Sequence, residues 1–171
     1  MKQQIGSGTF SFLDIFMGFE KLDAVTGVFG KKTQQILSRL NVEVFPREGF
    51  MGVSDEDGHI FASQIYLNTG VEWSVYLDVV HELVHVRQFM EGKELFDNSY
   101  SYADRPTEIE AYQVAAKEAR RIGMDEKEIF EYLEVPWISR AEHERLALAC
   151  EVPSDIVRGK QIRNRKNSLP K

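Results

Sequence analysis

The chain has 171 residues, a length that suits one domain around a single core, and its 43% hydrophobic and 28% charged residues are typical of a soluble globular protein. Its single cysteine, Cys150, excludes an intramolecular disulfide and a four-cysteine zinc site. The net charge of −6 argues against nucleic acid as the main partner.

No segment is predicted to span a membrane. The most apolar early stretch, residues 10–19, is too short to cross a bilayer and contains Asp14. It also lacks the basic flank and the small-residue cleavage site of a signal peptide. Together with the single cysteine, these features predict a cytoplasmic protein without a membrane partner.

The first half of the chain predicts short helices and a small sheet. Phenylalanines at helical spacing predict a short helix within residues 9–29, and residues 31–40 have the pattern of an amphipathic helix. Strand patterns follow at 42–45, 50–54 and 59–67, and the turn "DEDG" joins the last two into a hairpin. We therefore expect an α+β fold with a small mixed sheet of about three strands packed on helices.

Two long helices are predicted in the second half. The first should run over residues 73–91 and end at Gly92. The second should begin at Pro106 and end at Gly123, with Thr107 and Glu110 at the spacing of a capping box.

The C-terminal part predicts two shorter helices and a basic tail. The helices are expected at 126–134 and 139–150, and Trp137 and Cys150 are interpreted as core residues. Residues 156–171 carry six of the 21 basic residues and none of the 27 acidic ones. This tail is either a frayed, solvated terminus or an arm that binds nucleic acid. We predict one domain over residues 1–155.

The segment "HELVH", residues 81–85, carries the main chemical signal. On a helix, His81 and His85 project side by side from consecutive turns, which lets both imidazoles reach one metal ion. Glu82 then lies next to the ion without ligating it, in the position of a general base. The structural alternative is a pair of core histidines on an apolar helix.

A catalytic zinc ion needs a third protein ligand and one open position. Glu108 and Glu110 on the second helix point to different sides, so only one of them can face the histidines. Glu108 shares its side with an apolar stripe and is the predicted ligand, whereas Glu110 shares its side with Lys117 and Arg121. The alternative role for Glu108 is a first-turn acid that complements the helix dipole.

"HELVH", followed 23 positions later by "EIEAY", resembles the gluzincin class of zinc metallopeptidases, in which a second helix supplies a glutamate ligand. The pattern is similar to the E-x-x-A-D/N motif of the CAAX-processing and heat-shock-type peptidases and of the minigluzincins. Tyr112 stands where those families carry an acid or an amide that would orient a histidine, and Asp78 or Asp104 is a possible substitute.

The resemblance covers about residues 59–122 and implies a zincin-like fold. It also implies that residues 59–67 form the edge strand along which a peptide substrate lies. An edge strand there can also pair with a second copy of the chain, so the oligomeric state stays open.

The resemblance implies a zinc endopeptidase that acts on a peptide or protein substrate. One Zn²⁺ per chain would be held by His81, His85 and Glu108, and Glu82 would be the general base for a zinc-activated water. An oxyanion donor is also required, and the candidates by residue type are His59, Tyr100, Tyr102 and His143.

Two other functions are compatible with the sequence. One is a metal-binding regulatory or interaction module that keeps the scaffold and has little or no hydrolytic activity. The other is a DNA-associated regulator that the basic tail targets, which predicts salt-dependent DNA binding. The presence of Glu82 favours the enzyme, because a purely structural metal site needs no general base.

Overall fold

The computed structural model describes residues 4–159 of the chain. Residues 160–171, which hold most of the predicted basic tail, lie outside the described residues, so the role of the tail stays a prediction. The described part is a mixed α+β protein in which short N-terminal elements precede two long helices.

The strands are β1 (Gly8–Ser11), β2 (Asn41–Phe45), β3 (Met51–Val53) and β4 (Ile60–Ser63). The first helices are α1 (Phe12–Ile15), α2 (Asp23–Phe29), α3 (Thr33–Leu37) and α4 (Gln64–Thr69). The two long helices are α5 (Glu72–Met90) and α6 (Pro106–Arg121). The last helices are α7 (Glu126–Tyr132), α8 (Arg140–Ala149) and α9 (Ser154–Val157).

Within residues 4–159 the strands form one four-stranded mixed sheet in the order β1-β2-β4-β3. β1 pairs antiparallel with β2, β2 pairs parallel with β4, and β3 pairs antiparallel with β4. The expectation of about three strands missed β1. Its four residues "GTFS" run directly into α1, and this stretch carries a helical phenylalanine spacing rather than a strand pattern.

The strand predicted at 59–67 is half the expected length and does not lie at an edge. Its strand part ends at Ser63, whose side chain accepts a hydrogen bond from the Tyr66 N–H and caps helix α4. β4 lies between β2 and β3, so it is an interior strand. The expectations that this strand receives a peptide or pairs with a second copy are therefore wrong, and β3 is the edge beside it.

The side of β3 that faces away from β4 carries the backbone groups of Met51, which is partly buried, and of Val53, which is only 3% exposed. Ser54 N–H donates to His59 O at 2.9 Å, and Ser63 N–H donates to Phe50 O at 2.8 Å. Because hydrogen-bonded pairs recur at every second residue of an antiparallel ladder, the N–H and C=O groups of Met51 and Val53 point away from β4.

Helix α5 is the structural centre because buried residues pack on both of its sides. Val79, Leu83 and Val86 face the sheet and the N-terminal helices in one apolar cluster. Leu77 belongs to a second cluster that includes the alanine-rich face of α6 and the C-terminal helices. α5 is therefore an interior helix over much of its length and not a surface helix with one apolar side.

The two predicted C-terminal helices are confirmed as α7 and α8. Asp125 begins α7 and Ser139 begins α8, and each forms a capping box with the glutamate three residues later. The capping box expected at Thr107 is wrong: Pro106 occupies the first position of α6, so Arg105 is the N-cap residue. The predicted helix at 31–40 is shorter than expected, with α3 ending at Leu37.

None of the helices within residues 4–159 combines the length and the apolar character needed to cross a bilayer.

Gly58 sets the distance between the β3–β4 turn and helix α5. Its φ of +77° lies in the left-handed region, and a Cβ there would overlap the Phe89 ring. Gly92, just after α5, has a similar φ of +74° but open space around it.

We therefore expect Gly92→Ala to lower the free energy of unfolding by about 1–2 kcal/mol. Gly58→Ala should cost roughly 1–3 kcal/mol more, because it adds an overpacked contact.

Urea denaturation of the two variants beside the wild type measures this difference. Equal losses for Gly58→Ala and Gly92→Ala would show that the Phe89 contact does not constrain the turn.

Candidate metal centre

The two histidines and the glutamate of "HELVH" lie on the buried part of helix α5. His81, Glu82 and His85 are exposed by only 5%, 7% and 6% of their surfaces. Leu77, His81 and His85 recur every four residues, so the histidines extend the side of α5 that packs against α6. Both imidazoles therefore point into the interface between the two long helices.

Glu108 faces the histidines from the first turn of α6. Its carboxylate is 5% exposed, and its Oε2 lies 3.3 Å from His81 Nε2 and 3.4 Å from His85 Nε2. The two Nε2 atoms are 2.9 Å apart. The choice of Glu108 over Glu110 as the residue that faces the histidines agrees with this arrangement.

These separations fit one shared metal ion. Ligand atoms about 2.0–2.1 Å from a tetrahedral ion lie about 3.3 Å from one another. The observed separations of 2.9, 3.3 and 3.4 Å cluster around this value. Glu108 Oε2 is buried and has no hydrogen-bond partner among the described residues, as expected for an atom whose partner is a cation.

The pKa values of Glu108 and His85 are both shifted by their neighbours. Burial alone would raise the pKa of Glu108, but the two histidines hold it well below its usual range. Burial alone would lower the pKa of His85, but Glu108 and Glu82 reverse this effect and raise it to about 9. A metal ion at the same place would supply the positive charge and release the proton of His85.

Gln88 orients His85. Its side-chain oxygen accepts a hydrogen bond of 2.7 Å from His85 Nδ1, while its nitrogen donates to Thr107 O at 3.0 Å and to Glu110 Oε2 at 2.7 Å. Because Nδ1 carries the donated proton, neutral His85 presents a lone pair on Nε2 toward His81 and Glu108. The sequence places Gln88 one turn after His85, but a buried glutamine at that spacing has no recognisable motif.

Glu110 therefore has a different role from the predicted helix cap. It accepts from Arg87 Nη2 at 2.5 Å and from Lys93 Nζ at 3.1 Å, besides Gln88. These contacts lower its pKa to about 2 although partial burial opposes the shift. Glu110 thus anchors the amide that orients His85.

His81 is oriented by packing instead of by a hydrogen bond. The Tyr112 ring lies against it, with the ring centroids 4.2 Å apart, and His81 Nδ1 is buried without a partner among the described residues. The two expected substitutes do not provide one. Asp78 accepts from the hydroxyls of Tyr66 and Tyr132, and Asp104 pairs with Arg145 on the surface.

The four candidates for the oxyanion donor lie in different places. Tyr102 lines the cavity next to His81 and Glu82, and its hydroxyl is 3.0 Å from that of Tyr112. His59 contacts Asp57 in the β3–β4 turn, and His143 stacks on Phe130 and bonds to the Phe130 carbonyl oxygen. Tyr100 is exposed in the loop before α6.

Two cavities share His81 and Glu82 among their lining residues. The first, of about 160 Å³, reaches from His81, His85 and Glu108 to the aromatic rings of Phe61 and Phe96. The second, of about 220 Å³, extends from His81 and Glu82 between α5 and the end of α7. Trp137, which the sequence placed in the core, is half exposed and lines both.

No family model, curated protein or solved structure matched the chain. The assignment of a metal centre therefore depends on the donor atoms and their spacing. His81, His85 and Glu108 together can hold one metal ion.

The roles of Glu108 and Glu110 predict different effects on metal content. We expect about one zinc per wild-type chain and none in Glu108→Ala, because two histidines alone leave the set incomplete. Glu110→Ala should keep the stoichiometry and bind zinc roughly 10–100-fold more weakly, since it loosens the orientation of His85. Metal analysis after dialysis, followed by competition with a chelator, measures both quantities. A wild type that stays free of metal after zinc is supplied would show that His81 and His85 are core residues.

Proposed function

We propose that the protein is a zinc-dependent endopeptidase with a zincin-like catalytic unit built on α5 and α6. The observation that carries the proposal is the position of Glu82. This buried carboxylate lines both cavities beside His81, next to three side chains that can share one ion. Gluzincin-type peptidases combine two histidine ligands, a glutamate ligand and an adjacent carboxylate that does not bind the metal. The "HELVH" and "EIEAY" segments resemble the motifs that carry these residues.

Zinc suits two imidazoles and one carboxylate, and when bound it supplies a Lewis acid that makes a water nucleophilic near neutral pH. Glu82 takes the proton from the attacking water and transfers it to the leaving amine. Burial raises the pKa of the Glu82 carboxyl, and a raised pKa suits a group that first accepts a proton and then donates it. Gln88 holds His85 in the ligating tautomer during the reaction.

The free edge of β3 is the surface that supports a peptide substrate. The outward N–H and C=O groups of Met51 and Val53 can pair with an extended peptide, and both residues line the first cavity together with His81 and Glu82. A peptide paired there would lie beside the cavity that Glu82 also lines.

In the alternative, a metal-binding module without hydrolytic activity, Glu82 would have no function. A buried carboxylate that ligates nothing costs stability unless it is paired or protonated, so a structural site gains nothing from it. The position of Glu82 at the junction of two cavities therefore favours the enzyme.

Replacing Glu82 tests the proposed function. We expect zinc-loaded wild type to cleave a mixture of unfolded proteins, and Glu82→Gln to lower the rate by a factor on the order of 10²–10⁴ because the general base is lost. Zinc content should stay at the wild-type value, since Glu82 is not a ligand. Mass spectrometry of the peptide products measures the rates.

The matched control is Glu94→Gln, which changes an exposed carboxylate elsewhere and should keep full activity. Activity that persists in Glu82→Gln would overturn the mechanism. Zinc-loaded wild type that cleaves nothing would leave the metal-binding module as the function.

Tyr102 is the proposed donor to the developing oxyanion. Its side chain lies between the two cavities, and the nearby Tyr112 hydroxyl can hold its orientation. We expect Tyr102→Phe to lower kcat by roughly 10²–10³-fold, with little change in KM and none in zinc content. The control is Tyr100→Phe, which removes an exposed hydroxyl from the same loop and should leave kcat unchanged. Steady-state kinetics on one cleaved peptide measures kcat and KM of both variants. Equal kcat values for Tyr102→Phe and Tyr100→Phe would contradict the assignment.

A further inference from the structure

The second cavity at the metal centre, which we call the acidic cavity, has a composition that the proposed hydrolysis does not explain. It lies between the start of α5, the end of α7 and the loop that contains Trp137, and its volume is about 220 Å³. Its inner end is formed by His81 and Glu82, so whatever occupies it lies beside the reacting groups.

The walls of the acidic cavity are mostly aromatic. Six rings line it: Phe50, Trp73, Tyr102, Tyr112, Tyr132 and Trp137. Such walls bury the methylene stem of a long side chain and attract a cation through the faces of the rings.

The charged groups of the acidic cavity all have one sign. Asp78 lies along its wall, Glu131 and Glu134 are exposed at its rim, and neither lysine nor arginine lines it within residues 4–159. Both oxygens of Asp78 accept hydrogen bonds from phenols, those of Tyr66 and Tyr132, and not from a cationic side chain. Burial raises the pKa of Asp78. Each oxygen keeps a further acceptor position for a ligand.

The cavity on the other side of the metal centre has a different character. Apart from the groups at the metal centre, its lining is apolar and includes Phe61, Leu95 and Phe96. A peptide on the β3 edge would therefore meet an apolar pocket on one side of Glu82 and an acidic one on the other.

We propose that the acidic cavity is a subsite for a lysine or arginine side chain next to the peptide bond that is cleaved. The stem of the side chain lies between the aromatic walls, and its cationic end binds the Asp78 carboxylate. Glu131 and Glu134 add attraction at the rim. This assignment of substrate rests on the proposed peptidase function, but the cation site itself can be measured without catalysis.

The chain contains a direct reporter of this site. Its two tryptophans, Trp73 and Trp137, both line the acidic cavity, so the whole intrinsic tryptophan fluorescence comes from its walls. Titration of the full chain with n-butylguanidinium should give a saturable fluorescence change. The neutral, equally shaped n-butylurea should bind at least about tenfold more weakly, because a charge-assisted hydrogen bond is lost.

Variants assign the binding to Asp78. Asp78→Asn should remove the preference for butylguanidinium over butylurea, whereas the exposed Asp14→Asn on α1 should keep it. Glu134→Gln changes only the exposed rim and should weaken butylguanidinium binding by a smaller factor. It therefore serves as the second test if Asp78→Asn fails to fold. Equal affinity of wild type for the two probes, or an unchanged preference in Asp78→Asn, would overturn the proposal.

Cleavage-site mapping separates this proposal from the function on which it rests. Peptides cleaved by zinc-loaded wild type, and not by Glu82→Gln, should be enriched in lysine or arginine at one of the two positions that flank the cut. Glu82-dependent cleavage without this enrichment would overturn the subsite and leave the peptidase intact. Selective butylguanidinium binding without Glu82-dependent cleavage would support the cation site and overturn the peptidase.

Discussion

The structure depends on matching the polar groups that α5 carries through the interior of the protein. Two histidines, a glutamate and a glutamine lie on this helix with almost no exposure. Buried polar and charged groups are tolerated only when other groups pair with them. α6 faces three of these four residues with polar groups, since it brings Glu108 to the two histidines and the Thr107 carbonyl to Gln88. The contacts that pack α5 against α6 are therefore also the contacts that bring together the residues of the candidate metal centre.

Those parts of the molecule that depend on local signals could be predicted from the sequence. The long helices α5 and α6, the C-terminal helices α7 and α8, and the shared side of His81 and His85 all follow from spacings of three or four residues. Glu108 could also be chosen over Glu110, because the side of a helix follows from its periodicity.

The parts that the sequence missed depend on contacts between distant segments. A strand of four residues such as β1 is defined by its partner β2, and no local pattern shows that β4 lies inside the sheet while β3 lies at its edge. The loop before α6 and the segment around Trp137 line the cavities beside His81, and no local pattern in the sequence places them there. Tyr112 illustrates the same limit, because its ring orients His81 by contact where a motif search looks for an acid or amide.

Because β3 is short, its edge can bind an added strand only weakly. Two outward residues offer two N–H and two C=O groups, so an added strand gains only about four backbone hydrogen bonds. An edge of this length is a poor template for stacking copies of the chain, and very short edge strands protect proteins against aggregation in this way. The same shortness favours the escape of a bound segment once its side chains no longer fit. Discrimination among partners then comes from the pockets that flank the edge and not from the backbone.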